Sequence, residues 1–264
     1  MPSSRELRDR YDAEMRRDPP TGPGLRVERQ GPLVRLVGEE IQIVYSDLTE
    51  GAAAAIVAQE AASLRASPHG GEWKVFGHDR PSDLESLLAA AGFEPGPPET
   101  LLVYDLHQGP IDGPVPPGVR LRRVEDEAGA EDAARASERA FGVSIGRSAA
   151  RYRAWVGDPT AAMLVAYVHR APVASARLEL PPGRSFAGLW GGGTDPAHRR
   201  RGIYRALVAA RASIAADSGY RYLTADARES SAPLLHRLGF VPLSTTRPWT
   251  MTGRGSDSAA PAGP

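Results

Sequence analysis

The chain has no cysteine. That excludes disulfides, thiolate zinc centres and cysteine nucleophiles. It has a single lysine, Lys74, within a Lys+Arg total of 32, so nearly every cation is arginine, a bias that reads as GC-rich codon usage. It also lacks net charge, since Asp+Glu is 32 as well. Neutrality excludes a wholesale nucleic-acid binder and leaves room only for a local basic patch. No apolar run approaches the roughly 18 residues of a spanning helix, and no signal peptide opens the chain. The expectations are therefore a cytoplasmic protein with no membrane and no nucleic-acid partner. What the chain has in quantity is Gly (28) and Pro (24), so loops should be prominent. Its 264 residues, 41% of them hydrophobic, suit one large or two modest globular domains.

Pattern and punctuation divide the chain. Ser3 and Glu6 form a capping-box pair ahead of a surface helix over residues 3–17. Strand-like pieces follow at 25–30, 33–37 and 41–45, then an alanine-rich helix over 49–66, a strand at 72–76, a helix at 82–91 and a strand at 101–106. Residues 109–118 hold four prolines and glycines at 109, 113 and 118, a composition that predicts a semi-rigid linker. This sets a first module at 1–108 and a second at 119–252, with a Gly/Ser/Ala/Pro tail at 253–264 predicted to be disordered. The second module reads as a strand at 119–124, helices at 126–141 and 148–156, strands at 162–167, 173–180 and 186–194, a helix at 202–217, a strand at 222–226, a helix at 231–238 and a strand near 245–251. Strands in a run, then strand–helix–strand–helix–strand, predict an α/β or α+β fold on a mixed central sheet flanked by helices.

The segment Gly191-Gly192-Gly193-Thr194-Asp195-Pro196-Ala197-His198-Arg199-Arg200-Arg201-Gly202-Ile203-Tyr204 joins a strand to an amphipathic helix. An irregular loop ahead of a helix leaves backbone N–H groups turned outward at the positive end of the helix dipole, which suits a phosphate or pyrophosphate. Taken alone, a basic turn is more often simply solvated. Neither the Walker pattern nor the dinucleotide glycine fingerprint is present.

Arg199-x-x-Gly202-x-Tyr204 resembles the coenzyme A signature R/Q-x-x-G-x-G/A of the Gcn5-related N-acetyltransferase (GNAT) superfamily. About 35 residues on, Ser231–Phe240, ending Leu238-Gly239-Phe240, resembles that family's second motif. The resemblance covers roughly 119–252. It implies that backbone groups of Gly192, Gly193 and Thr194 pair with pantetheine, and that Arg199, Arg200, Arg201, Gly202, Ile203 and Tyr204 hold the pyrophosphate. Acetyl-CoA would be the co-substrate, with no metal. The acceptor would be an amine, expected to be a small molecule, attacking directly in a ternary complex. The protein would be a monomer or homodimer. A non-catalytic acyl-CoA-binding sensor or scaffold is the alternative.

Departures keep that alternative open. Tyr204 stands where Gly or Ala is usual, and Leu235 stands where the family often has a tyrosine acid. His236 is its neighbour, but about 100° round a helix; a surface histidine is the favoured reading. The strand at 186–193 carries no acid, so Glu179 and Asp226 are the nearest strand carboxylates. No catalytic residue is assigned. Tyr152, Trp155 and Trp190 could line an acceptor site, though core packing is the commoner role for such residues, and Trp249 reads as core or edge packing. In the first module, strand 72–76, the polar break His78-Asp79-Arg80, helix 83–91 and Gly92-Phe93 repeat the order of 222–240, as a shortened, degenerate copy of the same fold. It lacks the coenzyme A signature, so no coenzyme A is expected there, and its His78-Asp79-Arg80 group is expected to cap a helix.

Overall fold

A computed structural model of the chain describes residues 2–142, 149–150 and 152–255. Of the tail expected to be disordered at 253–264, residues 253–255 are instead held by hydrogen bonds from the Arg254 N–H to Ser67 O and from its guanidinium to Ala66 O, and the positions from 256 onward lie outside the described residues, as does part of the helix expected at 148–156. The chain forms two compact units: residues 2–102, 226–232 and 242–255 make the first, and 103–225 with 233–241 the second. The contacts therefore draw the division elsewhere than the sequential boundary expected at 109–118. The physical reason is strand pairing: β12 (Val241–Met251) pairs antiparallel with β4 (Gly71–Phe76), from Thr246↔Phe76 to Met251↔Gly71.

In the first unit, α1 (Ser4–Tyr11) carries the expected Ser3–Glu6 capping box. The helix continues as π-helical turns over Asp12–Arg17 and is not a surface element there, because Asp12 and Arg16 are buried. β1 (Arg26–Gln30), β2 (Leu33–Val37) and β3 (Ile41–Ser46) form an antiparallel meander. α2 (Glu50–Ala66) then crosses over to β4, which lies parallel to β3 for three residue pairs, Ile41↔Gly71 to Ile43↔Trp73. Ala53, Val57, Ala61 and Leu64 recur at helical spacing on α2 and pack on Ile43, Trp73 and Val75. Leu84 and Leu88 of α3 (Leu84–Ala90) join this core, as do Phe93, Met251 and Trp249, the last of them core as expected. β5 (Glu94–Pro95) pairs with β12, and β6 (Glu99–Asp105) begins in this unit.

The second unit repeats the pattern at greater length. β7 (Val119–Arg123), β8 (Ala161–Val168), β9 (Ala171–Glu179) and β10 (Phe186–Thr194) are antiparallel in sequence order. α4 (Glu127–Phe141), capped by Asp126 accepting the Gly129 N–H, follows β7. α5 (Ile203–Asp217) crosses from β10 to the parallel β11 (Tyr222–Arg228), and α6 (Ala232–Arg237) follows. Alternation along the strands covers both faces. Met163, Val165 and Tyr167 meet Ala130, Ala133 and Ala134 of α4 on one side, while Leu164, Ala166, Ala174 and Ala176 meet Ile203 and Leu207 of α5 on the other. The proline-rich stretch is not a free spacer: Arg205 donates through Nε to Asp112 O (2.8 Å), and Gly113 lies against Ala209 so closely that a Cβ would meet its methyl at 2.6 Å.

Candidate active site

The site is built from β10, the loop after it and the start of α5. β10 and β11 pair for three residues, Phe186↔Tyr222 to Gly188↔Thr224, and then separate. Beyond Gly188, the edge of β10 away from β9 has no strand partner among the described residues. On its other edge, the register with β9 slips between Trp190↔Arg177 and Gly193↔Ser175, so two residues of β10 oppose one of β9. This is a bulge, and Gly191 supplies its left-handed backbone at φ +54°.

Glycine at the next two positions lets side chains approach from both faces. A Cβ on Gly192 would lie 2.9 Å from the Tyr204 ring and 3.3 Å from Arg211 Nη2, on the α5 side. A Cβ on Gly193 would lie 2.7 Å from Ala140 and the Phe141 ring, on the α4 side. The hydroxyl of Tyr152 comes within 3.8 Å of the Cβ position of Gly191.

Asp195 Oδ1 then accepts the Ala197 N–H and turns the chain into one 3₁₀ turn. Arg199 is exposed, yet its guanidinium turns back onto the chain. Its Nε donates to Thr194 O and its Nη2 to Ala140 O, both at 3.1 Å, and its N–H to Pro196 O. Its role is to pin the loop to the end of β10 and to α4. Arg200, at φ +64°, and Arg201 are exposed. Gly202, the N-cap of α5, is at φ +81° and offers no side-chain cap. The first intrahelical bond runs from Ala206 N–H to Gly202 O, so the N–H groups of Ile203 and Tyr204 face out of the helix end. The sequence-predicted residues are thus brought into one strand–loop–helix unit, with Arg199 as a support within it.

Arg211 is the residue sequence reasoning missed. It lies two turns along α5 from Tyr204 and is 1% exposed. Its Nε donates to Leu207 O and its Nη1 to Arg177 O, both at 3.0 Å, while its Nη2 has no hydrogen-bond partner. Burial pulls its pKa down to about 10, opposed by the Tyr204 phenol beside it, so it stays charged at neutral pH. A lone arginine at a helical interior position carries no sequence signal for this. The Arg177 carbonyl that holds it belongs to the residue opposite Trp190, where the register of β9 and β10 slips.

The other candidates are placed differently. Leu235 is 1% exposed and belongs to the core. His236 holds Phe240 O at 3.1 Å through Nδ1 and so closes the end of α6. Glu179 pairs with Arg177 (2.8 Å), whose guanidinium stacks over Trp155 at 5.1 Å. Asp226 accepts from Thr246 Oγ1 (3.0 Å) and lies 3.4 Å from Lys74 Nζ, which also binds Glu99. Both carboxylates are thus committed to cations. Tyr152 is buried and Trp155 partly so, in the α4 core cluster, as the packing reading expected. Among the described residues no group of His, Asp or Glu could hold a metal ion.

In the first unit, His78-Asp79-Arg80 does not cap α3, whose N-cap residue Asp83 makes no side-chain cap bond. Instead Asp79 accepts two bonds from Arg16 Nη2 (2.8 Å each) and one from the Phe76 N–H. His78 bridges Ser244 Oγ (3.0 Å) and Asp12 Oδ2 (2.8 Å). Long-range partners won over the local cap.

Residues 130–240 match the family model described as the acetyltransferase (GNAT) family. No curated protein matches the chain. Among solved structures, a GCN5-related N-acetyltransferase from Kribbella flavida superposes with a TM-score of 0.67 at 17% identity, over 95% of this chain and 96% of its own. A tandem GNAT protein from the clavulanic acid biosynthesis pathway gives 0.63 at 16%, over 97% and 96%. A GCN5-related N-acetyltransferase from Sphaerobacter thermophilus gives 0.59 at 15%, over 85% and 82%. At these identities the likeness is one of fold, and it extends over both units. The chain carries a domain of the acetyltransferase (GNAT) family, an acyl-transfer family, at residues 130–240.

Proposed function

We propose that the protein is an acetyl-CoA-dependent N-acetyltransferase that moves the acetyl group to the amine of a small acceptor by direct attack in a ternary complex. The observation that carries this reading is a coincidence on one strand–loop–helix unit: a parallel pair that separates after Gly188↔Thr224, followed by an uncapped helix start at Gly202 flanked by Arg200 and Arg201. The residues fit the cofactor. The unpartnered edge of β10 at Gly192–Thr194 offers backbone groups to amides, and the N–H groups of Ile203 and Tyr204 with two exposed arginines suit a pyrophosphate. Coenzyme A would bring the activated thioester. The chain's own residues would bind it, orient it and hold the amine in line, which can supply the larger part of the rate. A cytoplasmic location and a monomer or homodimer belong to the same reading; among the described residues no helix is long and apolar enough to cross a membrane.

Gly202→Glu puts bulk and negative charge beside the phosphates. Calorimetry on the folded variant should find no coenzyme A binding; unchanged affinity would remove the phosphates from this place. One observation favours the second reading, a non-catalytic acyl-CoA sensor or scaffold: Leu235 is buried, and Glu179 and Asp226 are both ion-paired. A thiol-release assay over a panel of amines separates the two. The enzyme releases free thiol when an amine is supplied; a sensor binds coenzyme A and releases none.

A further inference from the structure

Among the described residues, the buried and half-buried cations Arg16, Arg35, Lys74 and Arg211 differ in one respect. Arg16 has Asp12 and Asp79, Arg35 has Glu60, and Lys74 has Glu99 and Asp226. Arg211 has two carbonyls and no carboxylate, with one nitrogen unpartnered. A buried charge without a counter-charge is costly, and an anion arriving beside it recovers that cost. The free nitrogen is aimed at Gly192, on the bulged strand.

We propose that Arg211 is an anion-receiving group of the candidate site and that the anion it takes is the sulfur of coenzyme A, as the thiolate. The proposal rests on the cofactor reading above. When the acceptor nitrogen bonds to the acyl carbon and the carbon–sulfur bond breaks, the electron pair stays on sulfur. The proton of the amine goes to water. Arg211 then stabilises the sulfur anion directly, so that no proton donor is required from position 235. The groups facing Arg211 bring it polar partners and no carboxylate. From its own helix the Tyr204 phenol lies beside it as a polar neighbour. From β9 only the Arg177 carbonyl reaches it; the Arg177 side chain is turned to Glu179 and Trp155. From β10 the residues at the bulge are glycines.

A thiol beside a fixed cation ionises more readily, as cysteines next to arginine do. Its bound pKa then lies below the free value of about 8.5, so affinity must rise with pH through the bound pKa and level off above the free one. Calorimetry with coenzyme A and with desulfo-coenzyme A, which lacks the sulfur, reads this without any turnover. Coenzyme A should bind roughly tenfold or more tighter at about pH 8.5 than at about pH 6.5, relative to desulfo-coenzyme A over the same range. Arg211→Met should abolish that difference while still binding both compounds, and Arg211→Lys should keep part of it. The comparison of the two compounds on the unaltered protein stands even if the Met variant does not fold. Equal pH profiles for the two compounds would overturn the proposal, as would a folded Met variant that keeps the difference. A preference for succinyl-CoA over acetyl-CoA that Arg211→Met removes would give the cation to an acyl carboxylate instead, and also overturns it. Failure of both compounds to bind at any pH would bring down the cofactor reading and this one with it.

Discussion

The two units share a plan and differ in what occupies it. Each has an antiparallel meander, a helix crossing over, and a parallel strand pair that holds for three residues before it separates: Ile41↔Gly71 to Ile43↔Trp73 in one, Phe186↔Tyr222 to Gly188↔Thr224 in the other. In the first unit the chain fills the opening itself. Arg16 donates to the Val44 carbonyl (3.1 Å) on the separating part of β3, is neutralised by Asp12 and Asp79, and lies 3.7 Å over the Phe76 ring at the end of β4. In the second unit the equivalent edge is lined by glycines, and the buried guanidinium nearby has no counter-ion. One unit thus fills its opening with its own packing and charge pairing, while the other leaves its opening lined by glycines, where the cofactor is proposed to bind. The loop between β3 and α2, Asp47-Leu48-Thr49, also has no run of arginines and no glycine, so nothing there would draw a phosphate.

The largest test of this comparison is to separate the halves. Expressing residues 1–108 alone deletes β12, and with it the antiparallel partner of β4 and the core residues Trp249 and Met251. The fragment should fail to fold, leaving β4 as an unpaired edge prone to association. Residues 115–252 alone should suffer the converse loss, since β12 then lacks β4. Far-UV dichroism and sedimentation would check both, and a stable monomeric 1–108 fragment would refute the assignment of β12 to the first unit.

Arg16→Met comes next. It leaves Asp12 and Asp79 buried without their cation, and breaking such a pair costs about 3–5 kcal/mol. Urea denaturation should show that loss, while coenzyme A affinity of the folded fraction should hold, because the filler of the first opening is not part of the proposed cofactor site. A drop in affinity at full folding would mean that the two openings are coupled.

Gly192→Ala probes the open side. The added methyl would meet the Tyr204 ring at 2.9 Å and Arg211 Nη2 at 3.3 Å, so the ring must shift. Overpacking of this kind costs about 1–3 kcal/mol. The loss should be relieved by Tyr204→Ala in the same chain, which removes the ring. A double variant no more stable than Gly192→Ala alone would deny that the glycine is there to admit the tyrosine.

Much of this plan was legible in the sequence. The hydrophobic pattern of 33–37 and 186–194 matched β2 and β10 residue for residue, and Ser3, Asp126 and the Gly/Pro breaks placed most element ends. Local pattern carries such information because caps and strand faces are decided within a few residues. What it could not carry were partners far along the chain. Arg16 finds Asp79 across 63 residues, and Arg211 finds the Arg177 carbonyl across 34. Neither spacing has a periodicity, so Arg16 read as part of a surface helix and Arg211 carried no mark of its burial. Residues 109–118 were read as a spacer from composition alone, yet Gly113 is there because α5 leaves no room for a side chain.

The smallest effect expected concerns Asp12 and acid. Burial would raise its pKa, but the hydrogen bond from His78 and the charge of Arg16 outweigh burial and leave it below the ordinary carboxylate value. A depressed carboxylate contributes stability above its unfolded pKa of about 3.9, and that contribution fades as pH falls through the lower folded value. Asp79 runs the other way: burial outweighs the same Arg16 and raises its pKa, so its ionisation weakens the fold as pH rises. The two carboxylates on one guanidinium therefore oppose each other in the acid limb, and the wild-type profile alone cannot apportion them. Asp12→Asn separates them, since the amide keeps the shape and loses the charge. The variant should be less stable than the wild type by about 1.5 kcal/mol near neutrality, the low end for a hydrogen bond to a charged group. That difference should shrink as pH drops below about 4, where the carboxylate of the unfolded wild-type chain begins to bind a proton. Urea midpoints across the acid range would read it, and a difference that widens toward low pH would mean that Asp12 is held above its ordinary value, with burial and not Arg16 in control.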